Sequence, residues 1–204
     1  MATANIYSDA ELHPTKDEFA NQFSRITQVD GSYRAYDRDD KVGIEVLVGP
    51  DNEGNLTQCG FSYREEDMAL DDELTPLTHS VLGRRSVAHL TADPVAVREF
   101  AQVILTGDNG ADFSETSPIF AVRGTGSEDV TVDNVVVENH DMLNSVGTLT
   151  VDGEEKRYQL RIQRLIREIP QAEEGGLALV RDDGAIEAAA DEACLLYTSP
   201  SPRD

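Results

Sequence analysis

Apolar residues recur along this chain with two distinct periods. Phe19, Phe23 and Ile26 are spaced i, i+4, i+7 and predict an amphipathic helix that starts after His13-Pro14 and ends near Thr27. Thr15 can cap it, and Glu18 three residues later completes a capping box. Val97, Phe100, Ala101 and Ile104 form a second stripe, with Asp93 at the cap, Pro94 at the first helical position and Gly107 as the stop. Between the two stripes, strands are predicted over the short Tyr33–Tyr36, the β-branched run Val42–Val48, and Leu56–Tyr63. The polar stretch Asp51–Asn55 reads as a hairpin connection, and the links are too short for parallel crossovers, so the strands form an antiparallel meander. Leu74–Leu82 reads as a short helix stopped by a left-handed Gly83, and Arg84–Leu90 as a further strand.

After a polar loop over Asp108–Ser117 the pattern becomes strand-like. Ile119–Val122, Val130–Val137, Gly147–Val151 and Lys156–Leu165 are the expected strands, with Asp152-Gly153 as a tight turn. Tyr158, Leu160, Ile162 and Arg164 share one face of the last of these, and Arg157, Gln159, Arg161 and Gln163 share the other, which is wet. Pro170 closes the ordered part, and residues 171–193, rich in Ala, Gly and acid, are expected to be a mobile tail. No repeat of fixed period is present. Two helices and many antiparallel strands make an α+β chain, divided into residues 1–107, a β-rich second half over 108–169 belonging to the same compact unit, and a disordered acidic tail over 170–193. The last eleven residues, Cys194–Asp204, resemble a translated sequencing adaptor, so the natural sequence is expected to diverge after Ala193.

With 204 residues the chain is long enough for a substantial core. Its net charge of −22 argues against nucleic acid and anionic membrane as partners. Lysine occurs only at 16, 41 and 156, a bias that suits a GC-rich coding sequence and a salty habitat. The charge reads as a solvated surface, with an acidic docking face for a basic partner as the functional alternative. Setting Cys194 aside, Cys59 stands alone and makes no internal disulfide, which fits a reducing cytoplasm. No leader and no apolar run of about 18 residues is present, so a soluble cytoplasmic protein is expected.

Four segments carry a family likeness: Pro14-Thr15-Lys16, Val42-Gly43-Ile44-Glu45, Leu77-Thr78-His79-Ser80-Val81-Leu82-Gly83-Arg84-Arg85, and Asp93-Pro94-Val95. In order and spacing they resemble the maltokinase N-terminal cap family, and more closely its stand-alone cap-like proteins of actinobacteria. The likeness covers residues 12–106, and Gly147–Val151 through Arg164 resembles the closing strands of those proteins. Family members tend to carry Trp after the first helix and in the strand that follows Gly-Arg/Lys-Arg. This chain has no Trp and places Ser86 in that strand. The resemblance implies a cystatin- or monellin-like curved antiparallel sheet packed on helix. It also implies a cap that borders the nucleotide lobe of an ATP-dependent sugar kinase without holding the phosphoryl-transfer residues.

The chemistry legible in the chain agrees with a non-catalytic role. Asn139-His140-Asp141-Met142-Leu143-Asn144 looks like a kinase catalytic loop but has the wrong spacings, and reads as a polar turn. Gly124-Thr125-Gly126 lacks a strand-to-helix context and reads as a β-turn, and no Gly-x-x-x-x-Gly-Lys motif exists. His13, His79, His89 and His140 are scattered without metal-ligand spacing. Asp37-Arg38-Asp39-Asp40 and Glu65-Glu66-Asp67 lack the glycine-centred calcium loop and read as solvated loops. Cys59, mid-strand beside Gly60, reads as a buried packing residue with nothing that requires a basic neighbour. Arg84 and Arg85 are the notable polar pair. Strand neighbours point to opposite faces, so at most one serves a given surface. They either pair with the acidic segment 65–73, or one of them, with His79 nearby, reaches an anion or a partner's carboxylate. His79 itself otherwise reads as a helix-end or packing histidine.

No catalytic residue, cofactor or metal is expected. The expected function is an accessory or interaction module for a sugar kinase or another enzyme of maltose, trehalose or glycogen metabolism. The alternatives are the N-terminal fragment of a maltokinase-like kinase whose catalytic body is missing, and a small-ligand binder using the concave side of the sheet.

Overall fold

The computed structural model describes residues 3–115 and 120–166, together with the backbone of 177–181 and 186–187. Two short strands, β1 (Thr3–Ala4) and β2 (Leu12–His13), lead into α1 (Lys16–Phe23). The capping box forms as expected, with Thr15 Oγ1 accepting from the Glu18 N–H and the Glu18 carboxylate accepting from the Thr15 N–H. The helix stops a turn before Thr27. Ser24 Oγ donates to the Ala20 carbonyl and accepts from the Ile26 N–H, a local alternative to helical bonding. The Val29 N–H then reaches Asp17 Oδ1, and the turned chain drops Ile26 into the core.

The expected meander is β3 (Gly31–Ala35), β4 (Gly43–Pro50) and β5 (Leu56–Glu65), paired antiparallel in sequence. The segment expected as a short helix over Leu74–Leu82 is instead the strand β6 (Thr75–His79) and a turn, followed by β7 (Gly83–His89). Here tertiary pairing overrides a helical spacing: Leu77 is buried between exposed Pro76 and Thr78, a period of two. Pro76 lies beyond the reach of β2, which pairs only with Thr78 and His79, so its missing N–H leaves no bond unmade on that side. The six strands run in the order β2-β6-β7-β5-β4-β3, antiparallel throughout, and the sheet is curled.

After β7 comes α2 (Pro94–Thr106), capped by Asp93 and stopped by Gly107 at φ 72° as its sequence predicts. Within the expected polar loop, β8 (Asp112–Phe113) pairs parallel with β1. The second half supplies β9 (Phe120–Gly124), β10 (Val132–His140), β11 (Asn144–Val151) and β12 (Glu154–Arg161). Asp152 and Gly153 both have positive φ, 51° and 82°, the tight hairpin turn expected there. Gly124-Thr125-Gly126 is not a β-turn. It carries the chain from β9 across the C-terminus of α2, where the N–H groups of Gly126 and Glu128 donate to the Ile104 and Leu105 carbonyls. A methyl group at Gly124 would overlap the Val103 carbonyl oxygen.

Beyond Arg161 the chain leaves β11 and joins the first sheet. Leu165 bridges Thr57, and the Gln58 N–H donates to the Arg164 carbonyl at 2.8 Å. Within the stretch expected as a mobile tail, β13 (Leu177–Arg181) pairs antiparallel with β9, and β14 (Ile186–Glu187) pairs with β13. The remainder of 170–193 and all of 194–204 lie outside the described residues.

Alternation along β4 explains the two-sided core. Ile44, Val46 and Val48 face α2 and the β10-β11-β12 sheet, where they meet Val97, Phe100, Ile104, Leu149, Tyr158 and Leu160. Leu47 faces α1 with Cys59, Phe61, Leu77 and Val87, and Phe19 of α1 lies edge-on to Phe61 with ring centroids 5.1 Å apart. The fold is therefore α+β, with a curled antiparallel sheet between two helices and a second β-rich half that shares the first half's core.

Candidate functional site

The β6–β7 hairpin carries the three residues singled out in the sequence. His79 pairs with Gly83 across a three-residue turn, and Gly83 takes φ 76° with open space where a side chain would stand. His79 Nδ1 accepts hydrogen bonds from the Val81 and Leu82 N–H groups, both at 3.1 Å, so the neutral ring carries its proton on Nε2. Tyr7 packs edge-on against the imidazole, 5.5 Å between centroids, and Ser80 and Glu11 exchange hydrogen bonds at 2.9 Å. The turn is thus locked by a side chain and by the N-terminal segment. It holds Val81 60 % and Leu82 40 % exposed, beside Tyr7 at 38 %.

The two arginines point apart. Arg84 Nε meets Glu66 Oε1 at 2.9 Å with both side chains largely exposed. Arg85 Nη1 meets Glu65 Oε1 at 3.2 Å and is largely buried. Both arginines therefore pair with the acidic segment that begins at the last residue of β5. Arg85 lies opposite Leu77 and so shares the α1 side of the sheet. Burial lowers the His79 pKa first, and the charges of Arg85, Lys16 and Arg34 lower it further. His79 thus lies in the field of Arg85 and of two cations from other elements, Lys16 and Arg34, while Arg84 pairs with Glu66 at the surface.

Lys16 and Arg34 belong to a cluster built on Glu45, the third residue of β4, which is 1 % exposed. Its carboxylate accepts from Lys16 Nζ at 2.8 Å, Ser32 Oγ at 2.7 Å, Arg34 Nη2 at 3.1 Å and Tyr63 OH at 3.1 Å. Burial alone pushes the carboxyl up, but the Arg34 and Lys16 charges and the bonds from Lys16 and Ser32 outweigh it and hold it well below the usual carboxylate range. Tyr63 moves up, through burial and then the adjacent Glu45 charge. Sequence held one sign of this cluster: a lone carboxylate inside the β-branched run Val42–Val48.

A second network surrounds the start of α2. Asp93 is fully buried, caps the helix through Val95 N–H, and holds Arg64 by two bonds of 2.7 and 2.6 Å. Asp37 was expected in a solvated loop, yet it is 3 % exposed. It folds that loop about itself by accepting from the N–H groups of Asp39, Lys41 and Val42, and it pairs with Arg98 at 2.9 Å. Glu99, also buried, continues the chain of charges to Arg98 and Arg38, and Arg38 reaches Asp133 on β10. Each buried carboxylate is bound to arginine, which is what burying charge requires.

Cys59 is buried as expected, and burial pushes its thiol up to about 12. The structure adds a neighbour that sequence reasoning missed: His89 Nδ1 lies 3.9 Å from Sγ, with its ring stacked on Phe61. Burial, and then the His140 charge, push the His89 imidazole down, so this pair favours neutral thiol and neutral ring over thiolate and imidazolium. Asn139–Asn144 forms the β10–β11 turn, where Asp141 Oδ1 accepts from the Leu143 and Asn144 N–H groups and His140 Nε2 sits 3.1 Å from Asp72. Among the described residues no three His, Cys, Asp or Glu side chains converge as metal ligands. Among the same residues no helix is long and apolar enough to cross a membrane.

Comparison with known proteins returns no matching family model, curated protein or solved structure.

Proposed function

We propose that this chain is a non-catalytic accessory module that docks on a partner enzyme through the tip of the β6–β7 hairpin. The observation that carries the proposal is the pair Val81 and Leu82, held out to solvent on a turn that His79, Gly83, Tyr7 and Glu11 make rigid. A rigid exposed apolar pair loses little conformational freedom on binding and gains from leaving water. Arg84 beside it would meet a carboxylate at the rim, exchanging Glu66 for the partner's. The resemblance of Leu77–Arg85 and Asp93–Val95 to the maltokinase cap family selects the partner: a cytoplasmic sugar kinase, or another enzyme of maltose, trehalose or glycogen metabolism.

The interior supports binding over chemistry. Glu45, Asp93, Asp37 and Glu99 are each engaged by internal cations, and the Cys59 thiol is held neutral. Both faces of the six-stranded sheet are packed with the chain's own side chains, which disfavours a small ligand on its concave side.

The test measures binding of the purified chain to a recombinant maltose-phosphorylating kinase body that lacks its own cap. Val81→Asp with Leu82→Asp should weaken that affinity by at least about tenfold, since each residue contributes on the order of 1 kcal/mol of apolar burial. Arg84→Ala should weaken it less. Affinity indifferent to the tip, or ATP turnover by the chain alone that a single acidic or lysine substitution abolishes, would overturn the proposal.

A further inference from the structure

The β6–β7 turn is closed by an acceptor that a single proton removes. His79 Nδ1 accepts from both the Val81 and the Leu82 N–H groups at 3.1 Å. Ser80, by contrast, is tied from outside the hairpin, its N–H to the Glu11 carbonyl and its Oγ to the Glu11 N–H. An imidazolium carries hydrogen on both ring nitrogens and accepts nothing. A proton on Nδ1 would face two N–H dipoles at hydrogen-bonding distance, so the charged ring and the closed turn exclude each other.

The ring's surroundings hold it neutral. Leu12 of β2 stands opposite it on one side and Gly83 of β7 on the other, and Tyr7 lies edge-on. Burial first, and then the charges of Arg85 on β7, Lys16 on α1 and Arg34 on β3, push the imidazole down. Those cations are themselves paired, Lys16 and Arg34 with Glu45 and Arg85 with Glu65. His13, next to Leu12, and Arg84, next to Gly83, take the opposite face by strand alternation, where Arg84 binds Glu66.

We infer that the hairpin tip is an acid-released switch: it docks while His79 is neutral, and a proton on Nδ1 opens the turn and unseats Val81 and Leu82. The inference rests on the docking role proposed above and adds its regulation. Because the seated imidazole is depressed, the closed turn is fully held above 6.5 and is lost as pH falls through the lower value of the seated ring. An open tip must be ordered again on docking, so the apparent affinity falls with the fraction of chains that are closed. One proton is involved, so below the titration of the seated ring the affinity drops by up to about tenfold per pH unit.

The experiment follows two quantities from about pH 7.5 down to about pH 5, a range that crosses the imidazole and stays above the carboxylates. One is the protection factor of the Val81 and Leu82 amides in the free chain. The other is affinity for the recombinant maltose-phosphorylating kinase body that lacks its own cap. In the wild-type chain both should fall together as the His79 ring titrates by NMR. His79→Asn places a side-chain oxygen within the reach of Nδ1, an acceptor that no proton removes in this range. It should hold protection level and leave affinity with only the kinase's own titration, which the wild type shares. If His79→Asn leaves the turn unprotected, the wild-type chain decides alone, by whether protection and affinity track the titration of its ring. Protection that ignores that titration, or affinity that falls equally in the wild type and in a His79→Asn chain with a protected turn, overturns the inference and leaves the docking role standing. A kinase body that binds the wild-type chain at about pH 7.5 no better than it binds Val81→Asp with Leu82→Asp overturns the docking role, and the inference with it.

Discussion

Replacing Glu45 by alanine tests the electrostatic core of this fold. The substitution leaves the Lys16 ammonium and Arg34 guanidinium beside a void, and strips the Ser32 and Tyr63 hydroxyls of their acceptor. Removing one partner of a buried ion pair costs about 3–5 kcal/mol. Lys16 keeps 34 % of its side chain exposed and Arg34 keeps 20 %, so both can reach water and the loss falls at the low end, about 3 kcal/mol. In a chain of this size that corresponds to a fall in Tm of about 6–12 °C at pH 7, read by calorimetry or circular dichroism. Glu45→Gln keeps a hydrogen-bonding oxygen but not the charge, and should lose most of the same stability. Arg84→Ala breaks an exposed pair and should cost at most about 1 kcal/mol. The sign with pH follows from the depressed carboxyl: the stabilisation is complete above the unfolded value near 4.5 and fades as pH falls below it. The gap between wild type and Glu45→Ala should therefore hold steady from pH 5 to 8 and narrow in acid, pH values that bracket about 4.5. If Glu45→Ala melts no lower than Arg84→Ala, the reasoning from buried charge fails.

Three further outcomes are expected. Asp93→Ala removes both the α2 cap and the Arg64 partner and should cost about 3–5 kcal/mol in denaturant unfolding, whereas Asp93→Asn keeps the cap and should recover about 1 kcal/mol of it. In a Cys194→Ser background, Cys59 should resist a thiol reagent at neutral pH until the chain is unfolded, because its thiol is 1 % exposed and pushed up to about 12; rapid labelling of the folded chain would contradict this. His79 should titrate below 6.5 by NMR, and because protonating Nδ1 turns an acceptor toward two donors, amide protection at Val81 and Leu82 should be present above 6.5 and fade as pH falls below it; protection unchanged across that titration would show that the ring does not hold the turn.

Where local signals act alone, the sequence was readable. The capping box of Thr15 and Glu18, the Asp93-Pro94 start and Gly107 stop of α2, and the Asp152-Gly153 turn each depend on residues a few positions apart, and each forms as its chemistry requires. Leu74–Leu82 misled because an apolar spacing of three and four is also what a short strand and a turn can display, and only the pairing of β6 with β7 decides between them. The same limit applies to the candidate site. That Arg84 and Arg85 diverge follows from the period of a strand, and the acidic partner segment was legible as the nearest opposite charge. The gathering of Lys16, Ser32, Arg34 and Tyr63 on Glu45 was not, because those residues come from three strands and a helix and are joined only by the sheet's lateral register. Likewise Asp37 looked like one acid among several, and its burial depends on Arg98, sixty-one residues later.

The bridge between Thr57 and Leu165 bears on how the molecule is made. The Leu56–Gln58 end of β5 receives its neighbour from the last described residues before position 167, so during synthesis that rim of the sheet stays bare until nearly everything upstream has left the ribosome. Nascent polypeptide should therefore linger as an open-edged intermediate, vulnerable to mispairing and dependent on chaperones, however stable the finished molecule proves to be.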